Sequence, residues 1–477
     1  MKSSQLIRVL QTFSKKEFRE LQKWVLSPAH NQREDVVRLL DWILQSGILE
    51  SEAPEGDRRV AFEAAYPDAP YDDDRLRQSM HFLMKVVEAY LLFAEYTEKD
   101  TQVRITLARV FRKRQLHKTF LRTLNQAHKE QEKQPYRNEL YYRTNYLLQQ
   151  EQYLALSEQK RLAELNLQEM TDALDIAYLV DKLRQSCIML SHKQVYNVDY
   201  DFELTDFAIS YIEGRPELLA LPAISIYYHT YKTIGQEDGQ EKNFKALKRT
   251  MFEHGHLFTN AEIRDIYLLA INYCIQQLNA GRRDYIKESF DLYRKGLEER
   301  ILIENNILSR WTFRNVVAAG LYLKKYDWVY AFIQDYQRFL EKRHRESMVD
   351  FNLAKLYFEK GDYAKARPLL MQFDFDDILM TLNAKTMLLK MYYEEEEFDV
   401  LESLLESMRN YVQRKKVIGY HKSNYRNIIR YTRRLLRVNP YDREAKQKLG
   451  HEISEAQPLT EREWLLRQLD YEPQQEE

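Results

Sequence analysis

Apolar residues recur at every third or fourth position along nearly the whole chain, which is the spacing of one face of an α-helix. Alternation of apolar and polar residues, typical of a half-buried strand, is nowhere sustained. An early helix is signalled by Ser14 followed by Glu17, a capping box, and by the apolar stripe that starts at Phe18. The pattern therefore predicts an all-α protein.

The pattern divides the chain into four segments. Residues 1–99 form an N-terminal helical unit, in which the helix over 76–96 is apolar around so much of its circumference that it should be central. Residues 100–310 read as degenerate helical hairpins, and residues 311–437 as more regular ones. Residues 438–477 contain "EREWLLRQL", which we expect to cap the array, followed by an acidic tail that we expect to be disordered.

The regular hairpins carry a sequence repeat with an interval of 35 residues. A single hairpin cannot bury its apolar face alone, so each is expected to pack an aromatic residue of its first helix and a small residue of its second helix against the next hairpin. In the middle copy Gly361 is expected to adopt positive φ in the turn. The three repeated positions are Tyr322, Tyr357 and Tyr392, then Trp328, Tyr363 and Phe398, and then Ala331, Ala366 and Leu401.

The middle copy resembles the tetratricopeptide repeat family. Tyr326 and Glu396 stand where the flanking copies would have the turn glycine, and Leu401 replaces the small residue. The resemblance implies an α-solenoid of stacked hairpins whose concave surface holds peptides. The matching residues are Leu353, Ala354, Tyr357, Gly361, Asp362, Tyr363, Ala366 and Leu370.

Three further stretches resemble an uncharacterised helical protein family found widely in Bacteroidota. They are "KKEFRELQKWVLSPAHNQ", "INYCIQQLNAG" and "PLTEREWLLRQL". That resemblance spans most of the chain and implies no known activity.

Composition agrees with long helices and few turns, because the chain has only 12 glycines and 11 prolines. Its 72 cations and 73 anions nearly cancel, so any attraction to nucleic acid must come from local patches. Cys187 and Cys274 lie in apolar helical patterns and are expected to be buried thiols. No signal peptide is recognisable and residues 86–96 fall short of a membrane span, so we expect a cytoplasmic protein without membrane contact.

No motif for catalysis or cofactor binding is present. The chain lacks a phosphate-binding glycine loop and a nucleophile elbow. His254 and His256 have no further Cys or His at metal-site spacing, and "VDYDFE" lacks the glycine and closing glutamate of a calcium loop. We therefore expect no enzyme activity, no cofactor and no metal.

The strongest chemical signal is a basic run at residues 409–437, with ten Lys or Arg residues and no acid. On a helix five of these cations fall within about 80° of one another, next to an apolar face. They are Lys422, Arg426, Arg430, Arg433 and Arg437. A second run at residues 102–122 also lacks acids and includes Arg109, Arg112 and Arg114.

Three interpretations of the basic stripe remain open. The acidic residues of the preceding helix, among them Glu402 and Glu406, could neutralise it internally. Otherwise it binds an acidic protein partner, or the phosphate backbone of nucleic acid.

These possibilities lead to two functional hypotheses. The first is a non-enzymatic scaffold that binds a segment of a partner protein of unknown identity in a groove of the helical repeats. The second is a nucleic-acid-binding regulator that uses both basic runs. A third possibility, an enzyme with a spatially assembled site, has no motif behind it.

Overall fold

The computed structural model describes residues 3–50, 57–98, 100–158, 164–196, 198–235, 239–371, 377–414 and 419–469. Helices make up almost all of the regular structure in these ranges, which confirms the all-α prediction. The acidic tail predicted at the C-terminus lies outside the described residues. The chain divides into two compact units, residues 1–185 and 186–477, so the division falls inside the segment 100–310 that we treated as one series of hairpins.

The first unit contains helices α1 to α8 and most of α9. Their bounds are α1 Gln5–Leu10, α2 Lys15–Leu26, α3 Glu34–Gln45, α4 Arg58–Ala65, α5 Asp73–Thr97, α6 Asp100–Lys113, α7 His117–Glu132, α8 Glu139–Ser157 and α9 Leu167–Tyr196. The predicted capping box begins α2, since Ser14 accepts from the amide of Glu17 and the Glu17 carboxylate accepts from the amide of Ser14.

The core of residues 1–99 is built around α5, which contacts α1, α2, α3 and α4. Leu76, Leu83 and Val87 on this helix are fully buried. The central role predicted for this stretch is therefore confirmed for most of its length. Its last turns differ, because Leu92 and Phe93 remain 73% and 52% exposed.

A partly buried carboxylate links α3 to this core. Asp35 accepts hydrogen bonds from Tyr66 at 2.7 Å and from Ser79 at 2.6 Å, and it pairs with Arg33 at 2.8 Å. Burial of the carboxylate raises its pKa, but the hydrogen bonds from Arg33, Ser79 and Tyr66 outweigh that effect and lower the pKa of Asp35 to about 2. The charged carboxylate of Asp35 on α3 therefore connects this helix to the residue after α4 and to α5.

The second unit continues as successive helices, with a short β-hairpin near its middle and 3-10 turns at Pro216–Ala220, Gly255–Leu257 and Gln337–Phe339. Asn305 and Asn306 join the two strands in left-handed conformations, the turn expected of a two-residue hairpin. The elements are α10 Glu203–Glu213, α11 Pro222–Ile234, α12 Gln240–His254, α13 Asn260–Asn279, α14 Tyr285–Glu298, β1 Ile303–Glu304, β2 Ile307–Leu308, α15 Arg310–Tyr322, α16 Tyr326–Tyr336, α17 Lys342–Glu359, α18 Tyr363–Met371, α19 Ile378–Glu394, α20 Phe398–Arg414, α21 Tyr420–Arg437, α22 Arg443–Glu455 and α23 Arg462–Gln468.

The repeat region consists of three helical hairpins, α15–α16, α17–α18 and α19–α20. The second helix of each hairpin contacts the first helix of the next, and first helices also contact one another. The three turns are closed by the same hydrogen bond, from an amide after the turn to the carbonyl five residues earlier. The donors are Lys325, Asp362 and Glu397, and the acceptors are Gly320, Tyr357 and Tyr392.

These turns correct the alignment of the first copy. The residue with positive φ is Lys324 in the first hairpin, Gly361 in the second and Glu396 in the third. Glu396 fits the 35-residue interval, but Lys324 lies two residues before Tyr326, the position that interval assigns to the turn. The first hairpin therefore aligns with the second over an interval two residues longer than the sequence pattern indicated.

Burial follows the corrected alignment. Val329, Ala366 and Leu401 occupy the equivalent position of the second helix, and all three are fully buried. Ala331, which the sequence pattern placed there, is exposed.

The aromatic positions differ more from one another than we expected. Tyr392 is buried, Trp328, Tyr357 and Tyr363 are half-buried, and Tyr322 and Phe398 are 52% and 44% exposed. Packing of the first-helix aromatic is therefore observed at Tyr392 and in part at Tyr357, but not at Tyr322, and Phe398 of a second helix is exposed as well.

Candidate functional site

The basic run at residues 409–437 contains the last six residues of α20, 409–414, and all of α21. The apolar face of α21 is buried through Tyr425, Ile428, Thr432 and Leu435. Burial of this face explains why the helix forms at this place despite its charge. The opposite edge of α21 carries the predicted cations, of which Arg426, Arg430 and Arg437 are exposed while Lys422 and Arg433 are half-buried.

A groove of about 490 Å³ lies between α20 and α21. Its floor includes the apolar side chains of Val412 and Ile429, which are 1% and 5% exposed. We call it the arginine groove, and its lining residues are Arg409, Val412, Gln413, Arg426, Ile429, Arg430 and Arg433.

One carboxylate pairs with two of the lining arginines. Glu406 accepts a hydrogen bond from Arg433 at 2.7 Å and lies 3.4 Å from Arg409. The hydrogen bond from Arg433, assisted by the charge of Arg409, lowers the pKa of Glu406. Internal neutralisation therefore applies to Arg433.

Arg426 and Arg430 form no ion pair with a carboxylate among the described residues, although the charge of Arg430 acts at longer range on Glu452 of α22. Within the described part of the chain neither guanidinium pairs with a carboxylate, and Arg430 instead lies 5.4 Å from the ring centre of Tyr431. The two residues are one helical turn apart, so their charges line the same side of the groove. They form the accessible cationic pair of the site.

Most of the acidic residues at 394–397, which could have neutralised the basic stripe, contact other side chains. Glu395 and Glu397 both pair with Arg367 of α18. Glu394 accepts hydrogen bonds from Tyr363 and from Trp464. Of the acidic residues preceding α21, only Glu406 reaches a cation of the predicted stripe in the described residues.

The second basic run is mainly internal. Arg109 and Arg112 both pair with Glu151, whose side chain is 1% exposed, and Arg112 also pairs with Glu158. These contacts join α6 to α8, so Arg109 and Arg112 are engaged within the first unit, and their predicted role in partner binding stays a prediction. Arg114, by contrast, is exposed.

A second groove, of about 560 Å³, was not anticipated from the sequence. It lies beside the β-hairpin and includes Trp311, which is 48% exposed. Arg310 and Arg314 each lie 4.9 Å from the Trp311 ring. The signal in the sequence was the stretch "RWTFR", in which two arginines flank a tryptophan at helical spacing.

In the part of the chain that the structure describes, the remaining candidates for chemistry form no assembled centre. Cys187 and Cys274 are buried free thiols, and burial raises the pKa of both. No cluster of three or more His, Cys, Asp or Glu side chains suited to a metal ion occurs in the ranges that the structure describes. Among the helices in those ranges, none has the length and apolar character required to cross a bilayer.

Comparisons with protein-family models, with curated proteins and with solved structures find no match to this chain. The arrangement of its own residues is therefore the basis for any functional proposal.

Proposed function

We propose that this protein is a non-enzymatic, cytoplasmic interaction scaffold that binds an acidic segment of a partner protein in the arginine groove. In this proposal the three hairpins are tetratricopeptide-like units of an α-solenoid. Support for that arrangement comes from their identical turn hydrogen bonds and from the contacts between successive hairpins.

The observation that carries the proposal is the pair Arg426 and Arg430 above an apolar floor. Guanidinium groups one turn apart match carboxylates that are one turn apart on a partner helix, and each can bind a carboxylate in a bidentate manner. Ile429 and Val412 offer a surface on which apolar side chains between those carboxylates can pack. A nearly neutral chain that carries such a local patch is suited to selective binding of an acidic segment.

Nucleic acid is the second candidate, because Lys422 and Arg437 extend the same cationic edge. One feature favours the protein partner. Tyr425 and Tyr431 are buried, 4% and 6% exposed, and are not available as stacking platforms for bases.

A binding experiment separates the two candidates. Fluorescence anisotropy would follow a helical peptide with glutamates at every fourth position and leucines between them, and a single-stranded oligonucleotide, at about 50 and about 200 mM salt. We expect the peptide to bind, and the double substitution Arg426→Gln/Arg430→Gln to weaken binding by about tenfold or more.

The matched control is Arg114→Gln/Arg122→Gln, which removes the same charge from two exposed arginines of the other basic run. It should leave peptide affinity unchanged. Absence of peptide binding at low salt, or an equal loss in the control, rejects the proposal. Oligonucleotide binding that falls steeply with salt and requires Arg426 and Arg430 would support the regulator instead.

A further inference from the structure

After α22 the chain turns back and lies against helices of the preceding hairpins. We call residues 457–469 the return segment. Two asparagines of α21 bind its extended start: Asn424 accepts from the amide of Thr460 at 2.8 Å and donates to its hydroxyl at 3.1 Å, and Asn427 donates to the carbonyl of Pro458 at 2.9 Å. Side-chain amides offer a donor and an acceptor together, which suits them to hold the main chain of an extended segment.

A tryptophan anchors the middle of the return segment on α19. Trp464 is 6% exposed, and its Nε1 donates to Glu394 at 2.7 Å. Its ring lies 5.4 Å from that of Tyr393 in an edge-on arrangement, and the amine of Lys390 lies 5.8 Å from its centre. A buried aromatic side chain surrounded by a hydrogen-bond acceptor, a ring and a cation is the arrangement of an interface hot spot.

Charges fix the segment at two further places. Glu461 pairs with Lys390, and it also acts electrostatically on Lys355 of α17. Glu463 pairs at 3.2 Å with Arg283, which precedes α14 and lies 180 residues earlier in the chain. The return segment therefore runs from α21 past α19 to the turn before α14, across helices that belong to different hairpins.

These contacts have the character of peptide recognition. Asparagine side chains hold the main chain, one tryptophan fills an aromatic site, and complementary charges lie on both sides of it. The ion pair of Glu463 with Arg283 is exposed on both partners, at 78% and 69%, so it orients the segment and adds little affinity.

We propose that these helices form a peptide-binding groove that the return segment occupies as an internal ligand, and that a partner segment of the same chemistry displaces it. The partner chemistry is an acidic residue three positions before a tryptophan that is followed by two leucines, as in Glu461 to Leu466. This site shares no residue with the arginine groove, so it goes beyond the function proposed above.

Tethering explains why the groove is closed in the resting protein. A segment attached to the same chain competes at an effective concentration of about a millimolar, so a free peptide of equal intrinsic affinity is excluded until the tethered copy is weakened. Displacement therefore requires a tighter partner segment or a modification of the return segment.

The test uses the full chain and a fluorescein-labelled peptide with the sequence of residues 457–469 as the probe. In the variant Glu461→Lys/Glu463→Lys the tethered segment meets Lys390 and Arg283 with like charge, while every groove residue is retained. In a second variant, Trp464→Ala, the anchor is lost. We expect both to bind the probe at least about tenfold more tightly than the unmodified chain, and addition of Asn424→Ala to remove the gain.

The matched control is Arg467→Ala, an exposed position of the same short helix, which should behave like the unmodified chain. Circular dichroism and thermal unfolding should show that both release variants stay folded. If both lose their cooperative transition, or if they stay folded and bind no probe, the proposal is overturned. The variant Arg426→Gln/Arg430→Gln should not change probe binding, which keeps this test independent of the arginine groove.

Discussion

Gly320 and Val329 are in direct contact across the first repeat hairpin, so close that a Cβ atom on Gly320 would lie 2.5 Å from Cγ2 of Val329. Gly320 occupies the position of Tyr357 and Tyr392 in the corrected alignment, and Val329 that of Ala366 and Leu401. The first hairpin therefore combines the smallest residue on its first helix with a branched residue on its second.

This contact predicts that Gly320→Ala destabilises the protein by about 1–3 kcal/mol, because the added methyl group has no room. Val329→Ala should cost about 2 kcal/mol by leaving a cavity. In the double variant the loss of unfolding free energy should be smaller than the sum of the two single losses by about 1 kcal/mol or more. The reason is that the methyl group added at position 320 fills the space left by the shortened side chain at position 329. Urea denaturation measures all three.

Gly214→Ala is the control for this double-mutant cycle. Gly214 follows the last residue of α10, and its added Cβ would meet the nearest atom, the carbonyl oxygen of Ser210, at 3.6 Å. The free energy of unfolding should change little. Additive losses at Gly320 and Val329 would show that the two residues do not pack as described.

The turn register gives a second prediction. Lys324 adopts φ of 53°, a conformation that strains a residue with a side chain, so Lys324→Gly should stabilise the protein by about 0.5–1 kcal/mol. Tyr326→Gly, at the position that the 35-residue interval assigns to the turn, should instead destabilise it by about 1 kcal/mol, because Tyr326 begins α16. Thermal unfolding of the two variants distinguishes the registers, and the opposite order of stability would restore the 35-residue interval.

The repeat shows why sequence predicted the elements better than their alignment. Helical spacing and Gly361 are local signals, and both hold in the structure. The interval was fixed by matching aromatic residues such as Tyr322, which is exposed, whereas the turn is fixed by a hydrogen bond to Gly320 that no side chain reveals. Main-chain geometry decided the register.

The candidate site shows a similar limit. Periodicity placed Arg426 and Arg430 on one edge of a helix, because that follows from rotation per residue alone. The ion pairs of Arg367 with Glu395 and Glu397 could not be predicted in this way, because they depend on how neighbouring hairpins pack. The β-hairpin was missed because each strand has only two residues, although "NN" at 305–306 was its turn signal.

Asp35 predicts a loss of stability in acid. Its pKa is lowered to about 2 in the folded state, below the value near 3.9 of an unfolded chain, so its contribution is complete above about pH 4 and is lost as pH falls toward 2. The contribution is about 2 kcal/mol at neutral pH. Asp35→Asn should remove it and flatten that part of the pH profile of unfolding.

Asp41→Asn is the control on the same helix, at an exposed position. Chemical denaturation at a series of pH values would compare the two variants with the unmodified chain. An unchanged acid profile in Asp35→Asn would mean that the contacts with Tyr66 and Ser79 do not stabilise the charged form.

Glu406 is predicted to weaken the binding of an acidic ligand in the arginine groove. Because its carboxylate accepts from Arg433 and lies beside Arg409, it competes with any acidic ligand for the same guanidinium groups. Glu406→Gln should therefore strengthen binding of the acidic helical peptide by about threefold to tenfold, with the larger gain at low salt.

Glu402→Gln, one turn earlier on the exposed side of α20, is the control. It removes the same charge and should leave the affinity within about twofold, since charges at exposed positions interact weakly through water. An equal gain in both variants would assign the effect to net charge, and weaker binding in Glu406→Gln would mean that the carboxylate positions Arg433 for the ligand instead of competing with it.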